Sequence, residues 1–361
     1  MIINRSNIFQ IVSISWNEVL FSFLIDKYAF LKIECRSRSS LFKTETGEAA
    51  SIGRIALCNL IPDTEYEVIF SWGKKKKKIL FHTLPGPQGK CRSEFVVIAD
   101  PHISEKKENR KGRLFAESAL LLQGIISELN NRNIDFILIA GDLTNTGGVN
   151  EYKKIDSILK ISKHKILAVP GDHDLPGGET RAWRHYFGPL QWSLNIKDFR
   201  IIGINSAAKT LDKTAVSMLN KKNQMTYSLI LTHVALLPNP ACNRGGKSDP
   251  VLTGNEYFLK KLKSGGALIY AGHQNIPLRT EIDRLQQINV PQPSQYLCGY
   301  YLVRRFNNGF YHTFMPVESE ILRQYSRIEG DLAAKFYHEN QWQSAYREGC
   351  DAYARNFVIR E

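Results

Sequence analysis

Residues Phe95 to His102 read Phe-Val-Val-Ile-Ala-Asp-Pro-His, and this stretch decides the fold of the region around it. A continuous apolar run that is rich in β-branched residues is typical of a strand buried on both faces. Proline cannot extend the hydrogen-bonded ladder, so the strand should end there and leave Asp100 and His102 at the carboxyl edge of a sheet. These two side chains can share a metal ion, although Asp-x-His alone fits a structural role equally well.

Four further apolar runs deliver ligand-type residues at their carboxyl ends, and helical periodicity separates the runs. The predicted strands are Phe136–Ala140, Ile166–Pro170, Ser228–His233 and Ala267–His273, with a further strand at Phe199–Ile204. The residues that they deliver are Asp142, Asp172, His173, Asp174, His233 and His273. Because the carboxyl ends of strands in an open α/β sheet line one crevice, we expect these side chains to meet there.

The residue types in this set are those that a pair of metal ions requires. Two divalent cations that share a site need a carboxylate between them, because a bridging anion screens their mutual repulsion. They also need several imidazoles or carboxylates on each side. The six residues that supply this set are Asp100, His102, Asp142, Asp172, His233 and His273.

The order of these motifs resembles that of the calcineurin-like metallophosphoesterases, over roughly residues 93–315. The motifs here are Asp-x-His at 100–102, Gly-Asp-x-x-Asn at 141–145, Gly-Asp-His-Asp at 171–174, a single His at 233 and Gly-His-x-Asn at 272–275. The resemblance implies a layered α/β/β/α sandwich. It also implies a binuclear metal-dependent phosphoesterase that cleaves a phosphomonoester or phosphodiester by attack of a metal-bridging hydroxide.

The resemblance further implies a role for each residue. Asp100 and His102 would bind the first metal, Asp142 would bridge both, and Asp172, His233 and His273 would bind the second. His173 would act as general acid or contact phosphate, with Asp174 orienting its ring and raising its pKa. Asn145 would support the site through outer hydrogen bonds, and Arg181 and Arg184 could reach a substrate phosphate. The cofactors implied are two divalent or trivalent ions (manganese, iron, zinc or magnesium), with manganese favoured.

Two positions depart from the family pattern. Asp172 stands where the third motif has Asn, and Asn275 stands where the last motif has His. A carboxylate at 172 adds negative charge, and an amide oxygen at 275 is a poorer ligand than imidazole for zinc or ferric iron. The alternative is therefore a catalytically weakened binding module that recognises a phosphorylated or protein partner. Its contacts would include a basic loop of Lys106, Lys107, Arg110, Lys111 and Arg113.

The region before residue 86 reads as short strands separated by turns. Leu60–Val68 resembles the Leu-x-Pro-x-Thr-x-Tyr signature of fibronectin type III domains, in which the tyrosine hydroxyl binds upstream backbone. We expect a β-sandwich over 1–85 with Trp16 in its core, and Lys74–Lys78 in a solvated hairpin. A fibronectin-like domain ahead of a phosphoesterase domain resembles the arrangement in purple acid phosphatases. A linker at 86–92 would lead to the phosphoesterase domain at 93–315.

The last part of the chain predicts a hairpin and then a helical extension. Asn307-Asn308-Gly309 lies between two alternating strands, which is a strong hairpin signal. From about Glu318 to Ile359 the pattern is amphipathic and helical, so residues 316–361 are expected to form a helical extension that packs back on the domain.

Composition limits the classes of partner. The net charge of +13 over 361 residues favours anionic partners, including a phosphorylated substrate, and nucleic acid is supported by this charge alone. No apolar run approaches the ~20 residues of a membrane span. The N-terminus has no signal-peptide pattern, and the six cysteines contain no Cys-x-x-Cys pair, so we expect a cytoplasmic protein with reduced thiols.

Overall fold

The N-terminal part of the chain is a sandwich of two β-sheets. The computed structural model describes residues 8–37, 40–219, 227–239, 251–336 and 348–360. The first strands are β1 (Ile8–Ile14), β2 (Glu18–Leu24), β3 (Ala29–Ser37), β4 (Ser40–Ala49), β5 (Ile52–Cys58), β6 (Glu65–Trp72) and β7 (Lys75–His82). They form one sheet in the order β1-β2-β5 and another in the order β4-β3-β6-β7. The predicted all-β sandwich is confirmed.

Tyr66 ties the sandwich to the chain before it. Its ring is completely buried, and its hydroxyl accepts a 2.8 Å hydrogen bond from the backbone N–H of Ile61. This is the upstream backbone contact that the fibronectin-like signature predicted.

Trp16 lies at the edge of the sandwich, so the prediction that it fills the core is wrong. Its ring packs edge-on against Phe306 and Tyr311, at centroid distances of 5.5 and 5.4 Å, and the Arg304 guanidinium lies 4.4 Å from the ring. The physical reason is its position in the turn between β1 and β2, from which the side chain projects toward the next domain. Phe21 and Phe70 occupy the core instead.

The rest of the described chain alternates strands and helices. The strands are β8 (Ser93–Ile98), β9 (Phe136–Ala140), β10 (Ile166–Val169), β11 (Trp192–Ile196), β12 (Phe199–Gly203), β13 (Tyr227–Thr232), β14 (Ala267–Ala271), β15 (Leu278–Ile282), β16 (Leu285–Asn289), β17 (Gly299–Phe306), β18 (Gly309–Pro316) and β19 (Phe357–Ile359). The helices are α1 (Ser118–Leu129), α2 (Val149–Leu159), α3 (Arg181–Phe187), α4 (Lys213–Leu219), α5 (Glu256–Gly265) and α6 (Glu320–Phe336), with a 3₁₀ turn at Pro176–Gly178.

These elements build four layers. One mixed sheet has the order β10-β9-β8-β17-β18-β19, and the other has the order β11-β12-β13-β14-β16-β15. In β8, Phe95 and Val97 pack against the second sheet, whereas Val96 and Ile98 pack under α1. The outer face of the second sheet is covered by α4 and α5. Since both faces of each sheet are buried, the central strands β9 and β14 consist of apolar and aromatic residues, and the predicted α/β/β/α sandwich is confirmed.

Parallel pairing brings the ligand-bearing strand ends together. β8, β9 and β10 are parallel neighbours in the first sheet, and β12, β13 and β14 are parallel neighbours in the second. Backbone bonds continue beyond the strands, since the N–H of Asp100 donates to Gly141 and that of His102 donates to Asp142, each at 3.0 Å. The loops that carry the predicted ligands therefore start from one edge of the sandwich.

The C-terminal segment is only partly helical. The predicted hairpin at 307–309 is present between β17 and β18, and α6 follows it. The prediction of helix through Ile359 is wrong at its end, because Phe357–Ile359 is a strand that pairs with β18 and extends the first sheet. Residues 337–347 of the predicted extension lie outside the described residues. Among the described helices, none is long and apolar enough to cross a membrane.

Candidate metal centre

The backbone at the centre adopts a conformation that few side chains tolerate. Asp100, His102, Asp142, His273 and Asn275 all have positive φ, between 45° and 66°. Non-glycine residues rarely occupy this left-handed region, and groups of them are found mainly at functional sites where surrounding contacts hold them. These turns direct five side chains of the predicted set toward one another.

Glycine permits the closest approach of two of the loops. A Cβ atom on Gly171 would lie 2.1 Å from Oδ1 of Asp142 and 2.5 Å from its backbone nitrogen. No side chain fits in that space, so glycine at this position lets the loop after β10 lie directly on Asp142.

One group of possible ligands combines two carboxylates and two imidazoles. Asp142, Asp172, His233 and His273 each offer one ligand atom, and these atoms all lie within 4.8 Å of one another. Nε2 of His233 is 3.3 Å from Oδ2 of Asp142 and 3.1 Å from Oδ1 of Asp172. Nδ1 of His273 is 3.2 Å from that same imidazole nitrogen. The four residues predicted for the second metal therefore converge.

The tautomer of His233 follows from its partner. Its Nδ1 lies 3.0 Å from the carbonyl oxygen of Ala140, which can only accept, so this nitrogen carries the hydrogen. Nε2 is the nitrogen that faces the two carboxylates, and it can bind a metal once it has lost its proton. Ser206 holds the turn, because its Oγ accepts from the backbone N–H groups of His233 and Val234 at 3.0 and 2.9 Å. A backbone carbonyl on the second nitrogen is the usual support of a metal-binding imidazole.

A second group shares Asp142 with the first. It consists of His102, Asp142 and His173, again with ligand atoms within 4.8 Å of one another. Nε2 of His102 is 3.5 Å from Oδ2 of Asp142 and 3.8 Å from Oδ1 of Asp100. Asp142 alone belongs to both groups, which is the position that a bridging carboxylate would occupy.

Asp100 lies beneath the second group and belongs to neither of the two. Its carboxylate is fully buried and accepts the backbone N–H of His273 at 3.1 and 3.0 Å on its two oxygens. Burial raises the pKa of this carboxyl well above its usual value. Its role as a ligand of a first metal remains a prediction.

The charges of the centre shift several pKa values in opposite directions. Burial opposes ionisation of Asp142 and Asp172, but the neighbouring His233 outweighs it and lowers the pKa of both carboxyls. Burial lowers the pKa of His102 well below its usual value, despite Asp142 beside it. Asp142 and Asp172 are therefore ionised and the His102 ring is neutral, which are the protonation states that ligate a metal.

Two polar side chains fit a metal because each carries at least one buried atom that the described residues leave without a partner. Within the described chain, neither ring nitrogen of His102 has a hydrogen-bond partner. The Oδ1 of Asn275 has none there either. The Nδ2 of Asn275 donates to the carbonyl of His273 at 3.0 Å, which leaves the oxygen as the available atom. An unpaired buried polar atom costs about 1–3 kcal/mol. A cation bound by these atoms would remove that cost.

His173 and Asp174 do not form the pair that the sequence suggested. Nδ1 of His173 lies 2.6 Å from the carbonyl of Asn145, and no contact of its ring with the Asp174 carboxylate is described. Asp174 instead accepts from the backbone N–H groups of Leu143, Thr144 and Gly171, and from the Thr144 hydroxyl. Because those four donors use its oxygens, Asp174 braces two loops, and the expectation that it orients His173 is wrong. Asn145 supports His173 through its main chain.

The two arginines that were predicted to contact a substrate phosphate lie on the surface. Arg181 and Arg184 are exposed on α3, and no contact of either with the two ligand groups is described. Their role stays a prediction. Sequence reasoning missed Lys209, whose Nζ lies 3.3 Å from Oδ2 of Asp172. Lys209 lies in the loop after β12, a strand that is not followed by a predicted ligand, so no sequence motif indicated this residue.

Comparison with known proteins identifies a family and several similar sequences. The model of a family described as calcineurin-like phosphoesterase matches residues 93–277, a little over half of the chain. A "Probable cyclic nucleotide phosphodiesterase" of Ruthia magnifica is 29% identical over 153 residues, which cover 40% of this chain and 62% of that protein. A "Probable glycerophosphodiester phosphodiesterase GpdQ" of Arcobacter nitrofigilis is 30% identical over 125 residues, or 32% and 44% of the two chains.

One solved structure, described as "Structure of PhoD", aligns with 84% of this chain and 85% of its own at 9% identity and a TM-score of 0.44. The chain spans less than two thirds of the length of the curated relatives that it matches.

Proposed function

The chain belongs to the calcineurin-like phosphoesterase family, and we propose that it is a binuclear metal-dependent phosphoesterase that hydrolyses a phosphodiester. The observation that carries the proposal is the position of Asp142 in both groups of ligand atoms. A carboxylate between two clusters of imidazoles and carboxylates suits two cations a few ångströms apart.

A diester is favoured over a monoester by the relatives. Two of them are named for the hydrolysis of phosphodiesters, one of cyclic nucleotides and one of glycerophosphodiesters. Neither name fixes the alcohols of this chain's own substrate, since each match covers less than two thirds of the relative.

The metal ions would be held by residues of the two groups. Asp172, His233 and His273 would hold one ion, His102 and Asp100 the other with Asn275 as an oxygen ligand, and Asp142 would bridge them. When bound, two such ions would lower the pKa of a coordinated water, so that it could act as nucleophile, and would neutralise the phosphate oxygens. The oxygen-rich ligand set, with Asp172 and Asn275 in place of the usual Asn and His, favours manganese or magnesium over zinc.

His173 is the residue best placed to handle the proton of the leaving alcohol. Its Nδ1–H donates to the carbonyl of Asn145, so Nε2 is the nitrogen that exchanges a proton with substrate. Its backbone N–H donates to Oδ1 of Asp142 at 3.0 Å, which fixes the loop relative to the bridging carboxylate. In this role the ring would protonate the departing alkoxide at Nε2.

The test measures metal content and turnover in the same preparation. We expect about two ions per chain after manganese loading, and hydrolysis of bis(p-nitrophenyl) phosphate faster than that of p-nitrophenyl phosphate. Asp142→Asn should abolish turnover, whereas Asp156→Asn, a change of the same kind on the surface of α2, should leave it intact. One ion or none, with no turnover of either ester, would contradict the proposal and favour the binding module.

A second measurement separates a weakened enzyme from an inactive one. Asp172→Asn combined with Asn275→His restores the ligand types of the family. A large gain in turnover would mean that the two departures attenuate an existing activity. No gain, with two ions still bound by the unaltered chain, would mean that they are adapted to its own metals.

A further inference from the structure

A cavity beside the metal centre is lined by positive side chains. Its volume is about 410 Å³, within the usual ~300–1,000 Å³ of small-molecule sites. Four of its lining residues are cationic, namely Lys106, Arg110, Lys111 and Arg113, and none of the described lining residues carries a carboxylate. Asn275 lines the cavity as well, so the cavity opens next to the ligand groups.

The two arginines are held on one side of a tight turn. Arg110 and Arg113 exchange backbone hydrogen bonds of 3.1 and 3.0 Å, and the two residues between them have positive φ, as a type I′ turn requires. Residues paired in this way carry their side chains on the same face, and like charges placed directly opposite each other destabilise the pair. The turn therefore presents two arginines on one face and to one cavity, where their like charges repel each other and a bound anion would relieve that repulsion.

This turn is fixed by the helix that follows the catalytic domain. The Ser326 hydroxyl of α6 donates to the carbonyl of Gly112 at 2.5 Å, and the N–H of Leu114 donates to Ser294 at 2.7 Å. A Cβ on Gly112 would lie 2.9 Å from the backbone nitrogen of Gly330, so the turn lies directly against α6. Arginines on a fixed turn lose less freedom on binding than arginines on a loose loop.

The cavity adjoins the metal centre, because Asn275 both lines it and belongs to the predicted ligand set. Arg113 lines the same cavity. Its Nε donates to Gln295 at 3.3 Å, which orients the guanidinium at the cavity wall. A substrate whose scissile phosphate lay at the ligand groups would therefore have this cavity within reach of its next substituent.

We propose that the cavity binds a second phosphate group of the substrate, so that the preferred phosphodiester carries a further phosphate on one of its alcohols. The inference rests on the proposed function. Arginine forks match phosphate oxygens in pairs, and the two guanidinium groups together carry a charge equal and opposite to that of a phosphate dianion. Three of the four cationic groups lie on one turn, which suits a compact phosphate rather than the extended backbone of a nucleic acid.

Binding is tested without catalysis. Inorganic tripolyphosphate is titrated into the chelator-treated protein by calorimetry, so that neither metals nor turnover contribute. We expect one saturable site, weakened at least tenfold in Arg110→Gln/Arg113→Gln. The matched control is Lys153→Gln/Lys154→Gln on α2, which removes two exposed charges that do not line the cavity and should bind as the unaltered chain does. Equal weakening in both variants, or no binding at all, would overturn the cavity site.

Specificity is tested with a substrate pair that differs by one phosphate. Thymidine 5′-(p-nitrophenyl phosphate) is compared with its 3′-phosphorylated form in the manganese-loaded protein. We expect kcat/KM to be at least tenfold higher for the 3′-phosphorylated ester, with this ratio falling toward one in the double arginine variant. Arg113→Lys keeps the positive charge but loses the paired N–H donors of the guanidinium group. It should give a kcat/KM ratio between that of the unaltered chain and that of the double arginine variant.

The outcomes distinguish the two proposals. Tripolyphosphate binding that depends on the arginines, with no turnover of either ester, would contradict the proposed hydrolase activity but support an anion-binding site in the cavity. Turnover with a ratio near one in the unaltered chain would keep the hydrolase and overturn the second-phosphate site. A single-stranded oligonucleotide that binds through the arginines when tripolyphosphate does not would also overturn it, in favour of nucleic acid.

Discussion

Lys209 places its ammonium 3.3 Å from the Asp172 carboxylate, the group that stands where the family pattern has a neutral amide. The extra negative charge of that carboxylate therefore has a neighbouring counter-charge. Both side chains are partly exposed, so the pair adds little to stability. The pairing of Lys209 with Asp172 matters for chemistry instead, because the ammonium partly offsets the negative charge of Asp172 near a bound metal and phosphate.

Removal of Lys209 should therefore matter only while Asp172 is a carboxylate. We expect Lys209→Met to lower kcat/KM about two- to fivefold in the unaltered chain, a range that corresponds to a coupling below about 1 kcal/mol. In the Asp172→Asn background the same substitution should change kcat/KM much less. Steady-state kinetics of the four proteins measure the coupling, with Lys163→Met as a surface control. Equal effects of Lys209→Met in both backgrounds would contradict charge compensation.

Gly171 should tolerate no side chain. Gly171→Ala would place a Cβ 2.1 Å from Oδ1 of Asp142, so the loop after β10 must move away from the bridging carboxylate. We expect at least a hundredfold loss of turnover and loss of bound manganese, measured together by kinetics and metal analysis.

Gly124 provides the control for this change. It lies on α1, and a Cβ there meets nothing within 4 Å, so Gly124→Ala should keep both metals and activity and stabilise the helix by up to about 1 kcal/mol. Full activity of Gly171→Ala would mean that the two loops are less tightly packed than the structure has them.

The ligands could be predicted from the sequence because each follows an apolar run that ends abruptly. His233 directly follows a strand of six residues, and Asp142 lies one residue beyond a strand of five whose burial leaves little choice of conformation. Contacts between loops could not be predicted in this way. The pairing of Lys209 with Asp172 depends on how the loops after β12 and β10 meet, and no local pattern encodes that distance.

Strands whose buried side chains are polar were also missed. In β16, Gln287 and Asn289 are fully buried, and the Gln287 oxygen accepts from the backbone N–H groups of Leu236 and Leu237 at 2.8 Å. Hydrophobic periodicity cannot indicate a strand whose inward residues are satisfied by hydrogen bonds from a distant loop. Strand β4 was missed for a different reason, because it is an edge strand of mostly polar residues and shows no regular hydrophobic alternation.

The buried hydroxyl of Tyr66 should contribute measurably to the stability of the sandwich. Tyr66→Phe keeps the ring and removes the acceptor of the Ile61 N–H, so we expect a loss of about 1 kcal/mol in the free energy of unfolding. Urea denaturation measures it, with Tyr257→Phe on exposed α5 as the matched control. A loss no larger than that of the control would show that water replaces the hydroxyl.

His312 should make stability depend on pH. Burial lowers the pKa of this imidazole from 6.5 to about 3, assisted by the charge of Arg279, while the Tyr270 hydroxyl lies 2.9 Å from Nε2. Below pH 6.5 the unfolded chain binds a proton that the folded chain refuses. Stability should therefore fall as the pH drops from 6.5 toward 3, by about 1.4 kcal/mol per pH unit for this group.

The test compares slopes rather than absolute stabilities. The free energy of unfolding is measured in urea between about pH 4.5 and pH 7.5 at constant ionic strength, for the unaltered chain and for His312→Gln. In His312→Gln, the free energy of unfolding should change less steeply with pH, by most of the amount that one proton contributes. His185→Gln, on the exposed face of α3, should keep the pH dependence of the unaltered chain. Parallel curves for the unaltered chain and His312→Gln would exclude the buried imidazole as the cause.

Glu320 joins α6 to the N-terminal sandwich and should be the most sensitive carboxylate outside the metal centre. It accepts from Ser22 and Arg54 of the sandwich at 2.6 and 2.5 Å, and from Arg323 of its own helix at 3.0 Å. Glu320→Gln leaves two largely buried guanidinium groups without a counter-charge, which typically costs about 3–5 kcal/mol. Urea denaturation measures the loss, and Glu318→Gln, an exposed neighbour, should lose almost nothing. If both variants lost equally little, the sandwich would be held by its apolar contacts, such as Trp16 against Phe306, and not by this buried charge.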